Sequence, residues 1–229
     1  MTAQRRTHRQ IADSGDSALA LSQRRVVDTI VRKQRALRSQ RAVLVGISGI
    51  DASGKGFVTA QLAERLRVLN WNVAAVSADD WLNLPDVCIN RDDPAEHFYK
   101  HALRFDEMFE RLVLPLKQSR RVDLVADCGD AKATIHRKHR YRFRNVDIIL
   151  LEGIFLFKPA YRHQFDLAVW IDCSFETALR RAIARGQEGL PAAETKKAFE
   201  TIYFPAQQIH LTRDHPRETA DIVFPNDPP

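Results

Sequence analysis

The stretch AVLVGISGIDASGKGF, residues 42–57, constrains this chain more than any other. Residues 42–47 form a short apolar run, the pattern of a strand covered on both faces of a sheet. A glycine-bearing turn follows at once. From Lys55 to about Leu69, Val58, Leu62, Leu66 and Val68 anchor a helical pattern. A helix that begins straight after a tight turn aims several unpaired N–H groups at one point, and that concavity favours phosphate. Gly49, Gly54 and Lys55 fall at the G-x-x-x-x-G-K spacing of a phosphate-binding loop, so Gly49, Ile50, Asp51, Ala52, Ser53, Gly54, Lys55, Gly56 and Phe57 form the expected cradle. Glycines let the backbone approach the phosphate, and Lys55 puts a positive charge beside its outer oxygens. The motif then breaks, because Gly56 stands where a Ser or Thr hydroxyl would ligate Mg2+. Three readings follow: water fills the position, nearby acids hold the ion through water, or metal binding is weak and turnover slow.

The rest of the chain repeats the alternation of strand and helix. WNVAAVSADDW (71–81) reads as a second strand ending in two acids, VDIILLEGIFLF (146–157) as a buried strand, DLAVWIDC (166–173) as a fourth and DIVFP (221–225) as a late one. Helical patterns occupy residues 95–118, 174–187 and 191–212, and Pro94 and Pro115 punctuate the first. Such alternation predicts an α/β fold with a mostly parallel central sheet, a three-layer sandwich whose ligands bind beyond the carboxyl ends of the strands. The glycine turn, Asp79–Asp80 and Glu152 all follow strands at that end. Residues 119–145 differ in kind and read as an inserted hairpin or loop. Residues 1–41 form an N-terminal extension, with a helix from Ser22, its candidate cap, to about Leu37.

The candidate chemistry lies in the acids and arginines. Neighbours on extended backbone point to opposite faces, so Asp79 and Asp80 take different roles: one accepts a proton from an attacking hydroxyl, and the other meets the metal's water shell or caps the next segment. Glu152, after four apolar residues, requires a hydrogen bond or a cation close by and reads as a further magnesium-site acid. Arg180, Arg181 and Arg185 share a helix, where arginines can stabilise charge on a transferring phosphoryl group. The sequence ARGQEG (184–189) suits the hinge of a lid over about 174–192. In the insert, Lys132, Arg137, Lys138, Arg140, Arg142 and Arg144 alternate with His136, Tyr141 and Phe143, a mixture that grips an acidic or aromatic substrate, binds RNA, or forms a solvated hairpin. Asp127 and Asp130 just before it could bond sugar hydroxyls.

Composition narrows the partners. Residues 1–41 carry ten Lys or Arg against three Asp, a charge of +7, while the whole chain carries +6. The basic character is therefore N-terminal, suited to nucleic acid or to a plain solvated helix face. The three cysteines, Cys88, Cys128 and Cys173, are odd in number and widely spaced, which fits a reducing, cytoplasmic setting and gives no metal or disulfide pattern. No run approaches 18 uncharged apolar residues, so no membrane span is expected. The N-terminal helix packs on the main body or on a second copy, which leaves a homo-oligomer open.

Taken together, these segments resemble the uridine kinase family of P-loop kinases and its nicotinamide riboside kinase and phosphoribulokinase relatives. GISGIDASGKG is similar to the G-x-S-G-x-x-x-S-G-K-T loop, with Gly56 departing from its threonine. SADDW, ILLEGIFLF, FDLAVWIDCSFETALRRAIAR, YFPAQQIHL and PRETADIVFPN follow in the family's order, and the likeness covers about residues 42–225. The resemblance implies an ATP- and Mg2+-dependent phosphotransferase acting on a hydroxyl of a nucleoside, sugar or similar small molecule. It implies that Asp79 is the proton acceptor and a metal-site group, that Glu152 lies near magnesium, and that Arg181 and Arg185 meet the ATP phosphates. It also places Asp127, His136 and Arg140 at the substrate. Two other readings stand beside it: an ATP-binding regulatory protein with little turnover, motivated by Gly56, and a nucleic-acid-associated P-loop protein, motivated by the basic N-terminus. A GTPase is least expected, because no N-K-x-D motif occurs.

Overall fold

The computed structural model describes residues 3–37, 40–129, 134–186 and 189–227, with side chains from residue 19 onward. Helix α1, Ala3–Ala36, leads into β1, Val43–Gly49, and then α2, Lys55–Val68. Strand β2, Val73–Ser77, gives way to a 3₁₀ turn, Ala78–Trp81, and two short helices, α3 (Pro85–Cys88) and α4 (Pro94–His101). Helix α5, Phe105–Met108, passes through a π turn at Phe109–Val113 into α6, Leu114–Ser119. Strands β3, Val122–Cys128, and β4, Arg137–Phe143, form a separate antiparallel pair. Then come β5 (Ile148–Gly153), α7 (Pro159–Arg162), β6 (Leu167–Asp172), α8 (Phe175–Arg185) and α9 (Ala192–Ala198). A second π turn, Phe199–Tyr203, leads into α10, Phe204–Asp214, and β7, Ile222–Pro225, closes the series.

Strands β2, β5, β1, β6 and β7 make one parallel sheet in that spatial order. All seven residues of β1 are buried, as the unbroken apolar run requires of a strand covered on both sides. One core lies under α1 and α2, where Val26, Val27 and Ile30 of α1 pack with Val45, Ile47 and Leu62. The other holds Trp81, Phe155, Phe157 and Phe199 under α4–α6 and α10. The register sets Ser77 beside Glu152, and Glu152 beside Ile47, so the ends of three strands lie level. No helix among the described residues is long and apolar enough to cross a membrane.

Three local expectations need correction. Helix α1 starts upstream of Ser22, which therefore lies inside the helix and caps nothing. The second strand stops at Ser77 instead of running to Trp81, because the Ser77 side chain accepts a hydrogen bond from the Asp79 N–H and turns the backbone into a 3₁₀ loop. The pattern over residues 191–212 is broken by the π turn into α9 and α10. The insert adopts the hairpin form.

Candidate active site

A cavity of about 500 Å3 opens at the carboxyl end of the sheet. The glycine loop supplies Asp51, Ala52, Gly54, Lys55, Gly56 and Phe57, the strand ends supply Ser77, Asp79 and Glu152, and α8 supplies Arg181 and Arg185. Gly54 carries φ +89, a left-handed value open to glycine, and its carbonyl takes the Val58 N–H at 3.0 Å to start α2. Lys55 is buried, with Nζ 3.4 Å from the Ile50 carbonyl. Three expected cradle residues lie behind the surface: Gly49 ends β1, Ile50 belongs to the core, and Ser53 is fully buried. The Ser53 hydroxyl has no hydrogen-bond partner among the described residues.

Glu152 is held by the Ser77 hydroxyl, which donates to Oε1 at 2.6 Å. Burial raises its carboxyl pKa above the ordinary value; Asp79 and Asp51 push the same way, while Lys55 and the Ser77 bond oppose them. A half-buried acid between a lysine and two other acids suits a group that awaits a cation. Gly56 belongs to the same corner, since a Cβ built on it would meet only Glu152 Oε1, at 3.9 Å.

Asp79 and Asp80 do part company, though not by strand alternation. On the 3₁₀ turn Asp79 is exposed and lines the cavity, while Asp80 accepts from the Tyr141 hydroxyl at 3.1 Å. Asp80 is thus turned to the hairpin and does not line the cavity, against the expectation that it joins a metal site with Glu152. Arg181 lines the cavity and is also tied to the loop: its Nη1 donates to the Ser53 carbonyl at 3.1 Å and its Nη2 to the Asn226 carbonyl at 2.8 Å. Arg185 lines the cavity with no hydrogen bond or ion pair among the described residues, leaving its guanidinium available.

The hairpin separates two sets of residues by the period of two. Leu124 pairs with Tyr141, and Ala126, Cys128 and Tyr141 are buried against the body. Asp123, Asp127, Lys138, Arg140 and Arg142 take the other face. There Lys138 pairs with Asp127 at 2.7 Å and Arg140 with Asp123 at 2.7 Å. Asp127 and Arg140, expected at the substrate, are therefore engaged in exposed cross-strand pairs. His136 is partly buried, and its Nε2 has no partner among the described residues. Asp130, Lys132 and the hinge residues Gln187 and Glu188 lie outside the described residues.

Of the inward groups the sequence singles out Tyr141 and His136, but not Arg104 or Trp81. Tyr141 stacks on Trp81, with centroids 6.0 Å apart, and the Arg104 guanidinium lies 5.3 Å over the same Trp81 ring. Trp81 Nε1 and Arg104 Nε are buried without partners among the described residues. Strand alternation counted outward from Tyr141 would have separated these faces. Nothing in the sequence around Arg104 marks it.

A parallel sheet with a glycine loop after its central strand, a loop lysine and acids at two neighbouring strand ends defines a P-loop kinase. Residues 44–189 match the model of the Phosphoribulokinase / Uridine kinase family. The chain belongs to that family, whose members are ATP-dependent small-molecule kinases. A uridine kinase of Shewanella halifaxensis is 28% identical over 170 residues, covering 72% of this chain and 76% of its own length. One from Shewanella piezotolerans is 27% identical over 199 residues, covering 82% and 90%. Among solved structures, a Bacillus stearothermophilus protein described as a possible uridine kinase superposes with TM-score 0.66 at 24% identity, over 88% of this chain and 98% of its own. A D-glycerate 3-kinase from Cryptococcus neoformans gives 0.56 at 10%, over 82% and 88%. At these identities the structural likeness speaks for the fold.

Proposed function

We propose that this chain transfers the γ-phosphoryl group of ATP to a hydroxyl of a small molecule, a nucleoside of the uridine kind first and a sugar second. The observation that carries the reading is the single cavity joining Lys55 and the start of α2 to Asp79 and Glu152. The helix start and Lys55 hold the outer phosphates. Asp79, exposed at the cavity wall, takes the proton of the attacking hydroxyl, and Arg185 offsets charge on the transferring group. Most of the acceleration comes from positioning and charge, with no covalent intermediate.

Magnesium fits this corner by the chemistry of its donors. Glu152 and Asp79 are hard oxygen ligands, and Ser77 orients the first of them. Among the described residues no group of three or more acidic, His or Cys side chains could hold a metal by itself. The ion would therefore bind through one or two carboxylates, waters and the substrate phosphates, the usual habit of Mg2+. When bound it would neutralise charge on the β- and γ-phosphates. Arg104, Trp81 and His136, whose buried nitrogens have no partner among the described residues, lie beside the turn that carries Asp79 and favour an acceptor rich in hydroxyl or carbonyl oxygens.

A second reading, an ATP-binding regulatory protein with little turnover, rests on Gly56. The two separate in an assay of ADP release over a panel of nucleosides and sugars, run with and without magnesium. A kinase releases ADP faster with one acceptor and binds ATP more tightly with the metal. ATP binding indifferent to magnesium, with no acceptor speeding ADP release, leaves the regulatory reading. The nucleic-acid reading weakens at the hairpin, whose outer-face cations Lys138, Arg140 and Arg142 are paired with Asp123 and Asp127.

A further inference from the structure

The loop that follows the last strand holds the glycine loop from behind. Asn226, directly after β7, donates from Nδ2 to the Ser53 carbonyl at 2.6 Å, and Arg181 Nη1 donates to the same oxygen at 3.1 Å. Asn226 is itself fixed at both backbone groups: its N–H donates to the Asp172 carbonyl at 2.8 Å, and its carbonyl accepts from Arg181 Nη2 at 2.8 Å. The next residue, Asp227, accepts from the Ser174 N–H at 3.0 Å, at the start of α8. A trans peptide points its N–H opposite to its C=O, and the described chain has no cis bonds. Two donors that draw the Ser53 carbonyl outward therefore turn the Gly54 N–H inward, to the side where a phosphate would rest. The clamp also explains the residue at 54. A Cβ there would stand 2.5 Å from Asn226 Nδ2, and φ is +89.

We infer that Asn226 is a positioning residue for the phosphate cradle, setting the 53–54 peptide before nucleotide arrives, with Arg181 as its partner at the Ser53 carbonyl. The inference rests on the kinase reading and deepens it. Preorganising a donor lowers the cost of binding, so losing the clamp weakens phosphate binding selectively.

The test uses calorimetry on the full chain with ATP and with adenosine, for wild type, Asn226→Ala and Asn226→Asp. The aspartate keeps the shape but sets a carboxylate oxygen against the Ser53 carbonyl. The expected result is a loss of ATP affinity of about tenfold for alanine, the worth of one hydrogen bond, and more for aspartate. Adenosine affinity should stay at the wild-type value, while Tm should fall only by the worth of that one bond. ATP affinity unchanged in both variants overturns the inference. So does an equal loss for ATP and adenosine, which would make Asn226 merely structural. Lys55→Ala serves as the reference: if it binds ATP as wild type does, the phosphate-loop reading itself fails. If Lys55→Ala loses ATP while the Asn226 variants keep it, only the clamp fails.

Discussion

Gly56 leaves a space that a larger residue can enter, since the nearest atom to a Cβ there is Glu152 Oε1 at 3.9 Å. Gly56→Thr should fold at least as stably, because threonine costs less than glycine in a helix by a few tenths of a kcal/mol. Its hydroxyl would add a ligand, so the magnesium concentration that half-saturates ATP binding should fall, read by titration. An unchanged midpoint would mean that water already fills the position well. Glu152 carries the matching cost. Its pKa is raised in the folded chain, so the charged carboxylate opposes folding once pH passes above its unfolded value of 4.5, and the stability present below that value is lost as pH rises through the folded one. Glu152→Gln should therefore raise Tm of the nucleotide-free protein at neutral pH, and the gain should shrink as pH falls toward 4.5. A Tm that falls at neutral pH would show the charge to be well compensated. Ser77 was legible as a residue before two acids, but its bond to Glu152 was not, because the two lie 75 positions apart and meet only in the sheet.

At the scale of elements, the pairing of the hairpin decides which of its side chains face the body. The sequence read residues 119–145 as an insert, and its basic density drew attention to Arg140 and Asp127. Pairing of β3 with β4 instead leaves those two outside and Tyr141 inside. Register is invisible in one strand taken alone, since a slip of one residue exchanges the faces. Tyr141→Phe removes the hydroxyl bonded to Asp80 and should cost about 1 kcal/mol of stability, with a raised KM for the acceptor in steady-state kinetics. Arg140→Ala, which breaks an exposed pair, should leave both within error. A raised acceptor KM for Arg140→Ala alone would put the substrate on the outer face. The glycine loop and α2, by contrast, were legible to within a residue or two, because strand, turn and helix there are adjacent in sequence and need no distant partner.

For the molecule as a whole, the N-terminal helix is part of the body. Ile30 is fully buried and packs among Val45, Leu62 and Leu167. Its truncation by Ile30→Ala should destabilise the chain by about 3 kcal/mol in denaturant melts, the range for a core isoleucine. A loss near zero would make the helix a loose appendage. The parallel sheet and its active end were readable from the alternation of elements. The brace from β7 to the glycine loop was not, since it joins residues 173 apart. The central claim is that one cavity both binds ATP and removes a proton from the acceptor. Its most direct test measures ADP formation with the best acceptor, alongside ATP affinity, for wild type and Asp79→Asn. The account predicts unchanged ATP affinity and a loss of at least about 100-fold in acceptor-dependent ADP formation. Full turnover by Asp79→Asn would contradict it.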